Sequence, residues 1–426
     1  MSPGSSWQSP VAMPRRWLAG VFAVSALYAI GVAAISNTYV HQTWGTIAAC
    51  GYGLATIGAL IPRQASRRFL GRDTACASIA VALAFLGGLV VPLCWLVARG
   101  LRQPEVMVIA RSGASLIHHG TPYPSAAALA GTSDPNAYNP YLPVMSLFGV
   151  PRALADSPFA DPRIWFSLAF VIVFWLALRR AGARDPALWT VLVSGCPVIA
   201  FTLATGGDDA PMVAFLCLGF AYLWPARGAS GEDRVSPVAA GFALGIAAAM
   251  KATAWPAVAV AIALLAVTRG RRAVARFTLT AVAIVVVVAG PILATYPKDL
   301  IENTIEFPLG LAHVVSAAAS PLPGHLIAET GHAGHTLVVV ALVLAGLAVA
   351  AVLVFRPPRA VPRAMSLLAG AMTLMFLLAP STRYGYFIYP LTLVIWLLVA
   401  MAGRRQTDAG VMPDPGEPVA SSRTGN

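Results

Sequence analysis

Charged residues are scarce in this sequence. Asp, Glu, Lys and Arg together make up 11% of the 426 residues, whereas hydrophobic residues make up 58%. A soluble protein of this length could not bury so much apolar surface. The apolar residues also form runs of roughly 17–25 residues, which are long enough to cross a bilayer as helices. The sequence therefore predicts an all-α integral membrane protein.

Other absences exclude further classes of function. The 5 cysteines lie inside apolar runs and their number is odd, which argues against a disulfide framework or a zinc site. The sequence has no Walker A motif and no glycine-rich turn after a strand, so a cytosolic nucleotide is not the expected substrate. The net charge of +12 is explained by basic residues between membrane spans, without nucleic-acid binding. No metal or cofactor is expected.

About twelve transmembrane helices can be drawn, with the basic residues on alternate sides. Most of the 29 Lys and Arg lie on the side of the two termini, which the positive-inside rule assigns to the cytoplasm. Residues 1–16 are then a cytoplasmic N-terminus, 17–402 the transmembrane domain, and 403–426 a disordered cytoplasmic tail. The first apolar run is interpreted as a retained span, not a signal peptide. The spans are predicted at 17–36, 43–62, 74–98, 163–180, 187–204, 211–225, 237–251, 253–268, 277–296, 335–355, 364–380 and 385–402.

Two long loops, about 99–162 and 297–334, are predicted on the external face. In the first, Glu105 is followed by an apolar stripe that includes Val106 and Ile109, a spacing typical of a short amphipathic helix at the membrane surface. Proline and tyrosine clusters after it indicate a folded connector with turns. This arrangement would hold one carboxylate at the boundary between water and lipid.

Several motifs in this order resemble membrane glycosyltransferases of the GT-C superfamily. An acidic residue opens a short helix after a span, followed by G-x-P-Y at 120–123 and Y-N-P-Y-x-P at 138–143. With GFALGIAAAMK at 241–251 and RYGYFIYP at 383–390, the chain resembles glycosyltransferase family 87 more narrowly. That family contains the polyprenol-phosphate-mannose-dependent α-mannosyltransferases of actinobacteria. Its usual acid is Asp in a D-x-x-V-Y setting, a place that Glu105 occupies here.

The resemblance implies a GT-C-like bundle in the cell membrane whose active face is external. Its donor would be a polyprenyl phosphate sugar, with mannose as the expected hexose, and its acceptor a glycolipid or polysaccharide. Phosphate is a good leaving group, so an inverting transfer needs one general base and no acid partner. Glu105 is the predicted base, with helix capping as its alternative role, and Asp208 or Asp209 is the fallback. The first two spans are expected to be an extra hairpin relative to the family.

The donor phosphate needs cationic contacts at the membrane edge. Lys251 interrupts an apolar stretch and is predicted to pair with phosphate or carboxylate, with snorkelling to the interface as the alternative. Arg383 is a second candidate beside Tyr384, although both could be interfacial anchors. Asp208 and Asp209 are predicted to bind a sugar hydroxyl or Lys251, with helix capping as the alternative; they are expected to diverge on their helix, so that at most one faces the site. Further candidates for sugar or phosphate binding are His118, His119, Tyr138, Asn139 and His325.

Two other classes of function fit the same composition. A multi-span transporter or flippase would use the intramembrane charges as a pathway, and a non-catalytic scaffold would need no shared site. The arrangement of the charges distinguishes these hypotheses. An enzyme requires Glu105, the two aspartates, Lys251 and Arg383 to converge on one cavity, whereas a transporter would have them line a central pore.

Overall fold

A computed structural model describes residues 13–70, 74–227, 233–314 and 318–409. These residues are mostly helical, and the strands among them are the antiparallel pair β1 (Ala226–Arg227) and β2 (Asp233–Arg234). The helices of the first part are α1 (Arg15–Ile35), α2 (Tyr39–Leu60), α3 (Arg63–Leu70), α4 (Ala75–Phe85), α5 (Val91–Ala98), α6 (Pro104–His119), α7 (Ala126–Leu129), α8 (Val150–Leu154), α9 (Pro162–Ala181) and α10 (Pro186–Ser194).

The later helices include both long spans and short loop segments. They are α11 (Pro197–Thr205), α12 (Asp209–Leu223), α13 (Pro237–Met250), α14 (Trp255–Thr268), α15 (Arg271–Thr295), α16 (Pro297–Ile301), α17 (Pro323–Ala328), α18 (His332–Phe355), α19 (Val361–Leu378) and α20 (Ile388–Ala409). Leu86–Val90 and Glu302–Glu306 are π-helical. Short 3-10 segments cover Pro135–Ala137, Pro143–Gly149, Pro158–Ala160, Ala252–Ala254 and Tyr384–Phe387.

Each of the twelve predicted spans contains a helix, and the chain is a multi-pass membrane protein. Within the described residues, seven helices are long and apolar enough to cross a bilayer, with an eighth if α10 and α11 form one span. The helices α12 and α13 and the segment Ala252–Thr268 are apolar but shorter. The number of twelve crossings therefore stays a prediction.

The fifth predicted span, 187–204, is broken. Helices α10 and α11 meet at an angle of 68°. Pro197 at the start of α11 has no N–H to donate to the preceding turn, which favours a break at this position. The Tyr52 hydroxyl of α2 donates a hydrogen bond of 2.8 Å to the Gly195 carbonyl, so a backbone acceptor at the break is satisfied.

The centre of the bundle is α12, which is buried along nearly its whole length and packs against α9, α13 and α20. Helix α13 in turn lies against α15, with Gly241 beside Phe277 and Gly245 beside Ala281. A Cβ on Gly241 would come within 2.5 Å of the Phe277 carbonyl oxygen, so glycine is needed for this close approach. Because both residue numbers rise together, α13 and α15 run in the same direction.

The two long loops are joined to each other. The Asn303 side chain accepts a hydrogen bond of 2.8 Å from the backbone N–H of Asn139, and Tyr138 stacks on Phe307 with ring centroids 4.3 Å apart. The predicted amphipathic helix is present as α6, which packs against the 143–149 segment. These contacts fix the first loop over the end of the bundle.

Candidate active site

A cavity of about 970 Å³ opens between the two long loops and the ends of the helices. We call it the polar cavity. It contains all five charged residues expected to converge in an enzyme. Its lining residues are Tyr28, Gly31, Val32, Ile35, Ser36, His41, Gln103, Glu105, Val108, Pro135, Asn136, Tyr138, Pro140, Tyr141, Val198, Phe201, Thr202, Thr205, Gly207, Asp208, Asp209, Lys251, Phe307, Ala318, Ala319, Ser320, Arg383, Tyr384, Gly385, Tyr386 and Phe387.

Lys251 is held by two carboxylates. It follows the end of α13 in an extended conformation, with φ −151° and ψ 142°, and its side chain is 12% exposed. The Lys251 Nζ donates to Asp208 Oδ1 at 2.7 Å and to Asp209 Oδ1 at 2.5 Å. It also lies 4.8 Å from the centre of the Tyr141 ring, a distance typical of a cation–π contact. The sequence predicts that Lys251 pairs with phosphate or carboxylate, and in the structure it pairs with two carboxylates of the protein itself.

The expectation that only one of the two aspartates faces the site is wrong. Asp208 and Asp209 both line the polar cavity and both bind Lys251. The reason is local backbone geometry. Asp208 lies just before α12, with φ −94° and ψ 4°. Two residues earlier, Gly206 ends α11 with a φ of 122°. The usual divergence of neighbouring helical side chains therefore does not apply.

The two aspartates differ in their remaining contacts. Asp209 Oδ1 also accepts a hydrogen bond of 2.5 Å from the Tyr389 hydroxyl, which is itself 2.9 Å from Thr253 Oγ1. Asp208 Oδ2 is buried and, within the described residues, has no hydrogen-bond partner. A buried carboxylate oxygen without a donor is costly, so a hydroxyl or another donor from a ligand would lower the free energy of the site.

Glu105 forms a second ion pair with Arg383. Glu105 lies in the first turn of α6, just after Pro104, and its Oε1 accepts a hydrogen bond from Arg383 Nη1. The Glu105 side chain is 14% exposed and the Arg383 side chain 37%. Glu105 Oε2 is buried and has no hydrogen-bond partner in the described part of the chain. The site thus presents a second carboxylate oxygen that can accept a proton or a hydrogen bond.

The aromatic residues of the first loop help to hold these charges. Burial keeps the pKa of the Tyr141 hydroxyl well above its ordinary value, so the phenol stays neutral beside Lys251. The Tyr123 hydroxyl donates a hydrogen bond of 3.0 Å to the Tyr141 carbonyl. The G-x-P-Y and Y-N-P-Y-x-P motifs are therefore in contact with each other, and the second motif places Tyr141 against Lys251.

Two of the other predicted binding residues line the polar cavity, and four lie elsewhere. Tyr138 and Tyr384 belong to its lining. His118 and His119 are exposed at the end of α6, and Asn139 is buried, with its Nδ2 donating to the Pro122 carbonyl. The fourth, His325, bonds through Nδ1 to the Pro380 carbonyl and pairs with Glu329. Asn139 and His325 connect loop segments in this structure.

Sequence reasoning did not identify the contribution of the first hairpin. Helices α1 and α2 supply Tyr28, Val32 and His41 to the cavity wall, and His41 Nε2 lies 2.6 Å from Gln103 Nε2. A signal was present, because His41 lies two residues before the external end of the second predicted span, 43–62. Among the described residues, no group of three or more His, Cys, Asp or Glu side chains is arranged to hold a metal ion.

Comparison with known proteins supports one family. The model of glycosyltransferase family 87 matches residues 139–380, which is more than half of the chain. The match includes Asp208, Asp209 and Lys251, whereas Arg383 lies 3 residues after its end and Glu105 lies 34 residues before its start. Searches of curated proteins and of solved structures found no match. The chain therefore belongs to glycosyltransferase family 87 and is a membrane glycosyltransferase.

Proposed function

We propose that the protein transfers a hexose, with mannose as the expected sugar, from a polyprenyl phosphate donor to a glycolipid or polysaccharide acceptor. The observation that carries this proposal is the convergence of Glu105, Arg383, Asp208, Asp209 and Lys251 on one cavity of about 970 Å³. The cavity offers carboxylates for sugar hydroxyls and a cation for phosphate. Its mixture of polar and aromatic groups suits a substrate with both a sugar and a lipid part.

Glu105 acts as the general base in this proposal. The acceptor hydroxyl oxygen attacks the anomeric carbon, and the bond from that carbon to the phosphate oxygen breaks. The hydroxyl proton passes to Glu105 Oε2, the oxygen that no protein donor occupies among the described residues. Polyprenyl phosphate leaves with the electron pair, so no acid has to protonate it. Attack from the face opposite the phosphate inverts the anomeric configuration.

Arg383 is the proposed contact for the donor phosphate. It is the more exposed of the two cations in the cavity, at 37% against 12% for Lys251. Lys251 is already paired with two aspartates, so its charge is offset within the protein. A guanidinium can hold a carboxylate and a phosphate at once, because it has five N–H donors in a planar arrangement. Arg383 would then bring the phosphate next to the base.

Asp208 is the proposed partner of a sugar hydroxyl. Its Oδ2 is buried and has no hydrogen-bond partner among the described residues, and its side chain is only 3% exposed. A hydroxyl that donates to this oxygen would remove an unsatisfied buried acceptor, which favours a sugar with a hydroxyl at the matching position. Lys251 would act as a positioning residue by fixing both aspartates.

The sidedness of the reaction follows from the predicted topology. The positive-inside rule assigns the arginine-rich loops and both termini to the cytoplasm. The polar cavity lies at the opposite ends of the helices, because Lys251 follows the last residue of α13 whereas arginines cluster near its first. We therefore propose that the bilayer delivers the donor to the external face of a bacterial cell membrane.

The test is a transfer assay with purified protein and defined donors. We expect product from polyprenyl phosphate mannose and none from a nucleotide sugar, with an anomeric configuration opposite to that of the donor by NMR. The acceptor for this assay is identified by comparing the glycolipids and polysaccharides of a deletion strain with those of the wild-type strain. Transfer from a nucleotide sugar, or retention of configuration, would contradict the proposal. Transfer of a different sugar from the same lipid would correct only the choice of mannose.

A further inference from the structure

A second cavity, of about 640 Å³, lies at the other end of α13. The 14 residues of this helix separate Pro237, in the second cavity, from Lys251 in the polar cavity. At 1.5 Å per residue the two sites are about 20 Å apart. The second cavity is therefore distinct from the site of sugar transfer, and we call it the arginine pocket. Its lining includes Arg180, Tyr222, Ser236, Arg269, Arg272 and Arg276.

Four arginines face the arginine pocket. Arg180 is held in place by the Trp224 carbonyl, at 3.5 Å, and by the Tyr222 ring, whose centre is 5.5 Å away. Arg269, Arg272 and Arg276 are exposed, and none has a side-chain hydrogen bond or an acidic partner within the described part of the chain. Like charges gathered in one concave site repel one another, so an anionic ligand would stabilise the arrangement.

Two helix N-termini add to the positive potential. Helix α13 begins at the pocket with Ser236 as its N-cap, and α15 begins at Arg271, one residue before Arg272 of the pocket lining. The two helices run in the same direction and touch through Gly241 and Phe277, so their N-terminal ends lie side by side. The N-terminus of a helix carries a partial positive charge that favours phosphate and other anions.

An apolar face continues from the arginines along α15. Arg272, Arg276, Leu279 and Val286 follow one another at steps of four, three and seven residues, so these side chains share one face of the helix. Leu279 is 70% exposed and Val286 58% exposed in the bundle. Helix α15 is among those long and apolar enough to cross a bilayer, so this face meets lipid chains. One end of the face is cationic and the rest is apolar.

We infer that the arginine pocket binds the head group of an anionic phospholipid. The phosphodiester would lie between Arg272, Arg276 and Arg269, and the acyl chains along Leu279 and Val286 of α15. Basic pockets between transmembrane helices on the positive side of a protein are suited to such head groups. The inference does not depend on the identity of the sugar donor, because the two sites lie at opposite ends of α13.

The chain contains a matched control for this site. Arg359 and Arg363 are also exposed and lie on the same predicted side of the membrane, but neither lines the arginine pocket. The double variants R272Q/R276Q and R359Q/R363Q remove the same charge. A difference between them therefore reports the pocket and not the general attraction of a basic surface to anionic lipid.

Binding can be measured by native mass spectrometry of the full chain in detergent micelles that contain phosphatidylglycerol or phosphatidylcholine. We expect R272Q/R276Q to bind phosphatidylglycerol about thirtyfold more weakly than wild type, since each arginine near the surface contributes roughly a fivefold effect. R359Q/R363Q should bind it as wild type does, and phosphatidylcholine should bind all three weakly. The single variant R269Q gives a milder test, with a loss of about fivefold.

Three results would overturn the inference. One is an equal loss of phosphatidylglycerol binding in the two double variants, which would indicate general attraction to a basic surface. Another is equal affinity of wild type for phosphatidylglycerol and phosphatidylcholine. The third is inorganic phosphate binding as tightly as phosphatidylglycerol, because the apolar face of α15 would then contribute nothing. Each variant is first checked for an unchanged size-exclusion profile, and R269Q replaces the double variant if that profile changes.

Discussion

The two ion-pair clusters of the polar cavity differ in how firmly the protein holds them. Lys251 contacts two carboxylates and an aromatic ring, and Asp209 has a further donor in Tyr389. Glu105 and Arg383 have one contact with each other, and Arg383 is three times as exposed as Lys251. A cluster with many internal partners fixes a geometry, whereas a pair with few partners can exchange them for substrate groups. We therefore propose that the first cluster positions the site and that the second takes part in the chemistry.

The largest effect on stability is expected from breaking the firmly held cluster. The substitution Lys251→Gln leaves two buried carboxylates without their cation, which should destabilise the protein by about 3–5 kcal/mol. The matched control is Lys298→Gln, since Lys298 is the other lysine of the chain and is exposed. Unfolding of both variants in detergent checks this. A similar, small loss in both would show that the Lys251 cluster is not a positioning element.

A smaller loss is expected when one hydrogen bond of the same cluster is removed. Tyr389→Phe deletes the hydroxyl that donates to Asp209, and hydrogen bonds to charged groups contribute about 1.5–3 kcal/mol. Tyr384→Phe is the control, because that side chain is 55% exposed. The free energy of unfolding should fall for Tyr389→Phe and stay within about 0.5 kcal/mol for Tyr384→Phe. Equal free energies of unfolding for the two variants would show that the Tyr389 hydroxyl does not stabilise the cluster.

The more exposed pair should respond in kinetics and not in stability. Arg383→Gln should cost about 1 kcal/mol of stability or less, as partly exposed ion pairs do. It should raise KM for the lipid donor by roughly tenfold to a hundredfold if Arg383 binds the donor phosphate. The control Arg359→Gln should leave both quantities unchanged. An unchanged KM with a lower kcat would instead place Arg383 at the base and not at the phosphate.

The smallest effect is expected in the second long loop. Burial, then the neighbouring Glu306 carboxylate, raise the pKa of Glu302 above its ordinary value. A raised carboxyl pKa means that the folded state prefers the protonated form, so this contribution to stability is present at low pH and is lost as pH rises through the folded pKa. The neutral side chain of Glu302→Gln should keep this contribution at every pH. The free energy of unfolding of the variant should therefore exceed that of wild type by less than about 1 kcal/mol at neutral pH. Thermal unfolding against pH measures it, and a loss of stability in the variant would contradict it.

The helices could be predicted from the sequence, whereas the partners of the site residues could not. The length of the apolar runs predicted where the helices occur, and the isolated charge of Lys251 predicted the end of α13. The bend at Pro197 and the joint orientation of Asp208 and Asp209 depend on backbone conformation around Gly195 and Gly206, which periodicity does not report. The contact between Glu105 and Arg383 joins residues 278 positions apart, so it required the tertiary structure.

The resemblance located the motifs but not every side chain that reaches the cavity. Residues of the Y-N-P-Y-x-P motif have different roles. Tyr138 and Tyr141 line the cavity, whereas Asn139 connects the two long loops. His41 belongs to a hairpin outside the family match. It reaches the cavity because α2 packs against α4 and α11, a long-range arrangement that the family motifs do not contain.

The assignment of chemistry to Glu105 is tested most directly by Glu105→Gln with Glu329→Gln as its control. Glu329 is a 61% exposed acid outside the polar cavity. Single-turnover transfer from polyprenyl phosphate mannose, with folded protein confirmed by size exclusion, should be slowed by roughly a hundredfold or more in Glu105→Gln and unchanged in Glu329→Gln. Transfer by Glu105→Gln at the wild-type rate would contradict the account and move the base to Asp208 or Asp209.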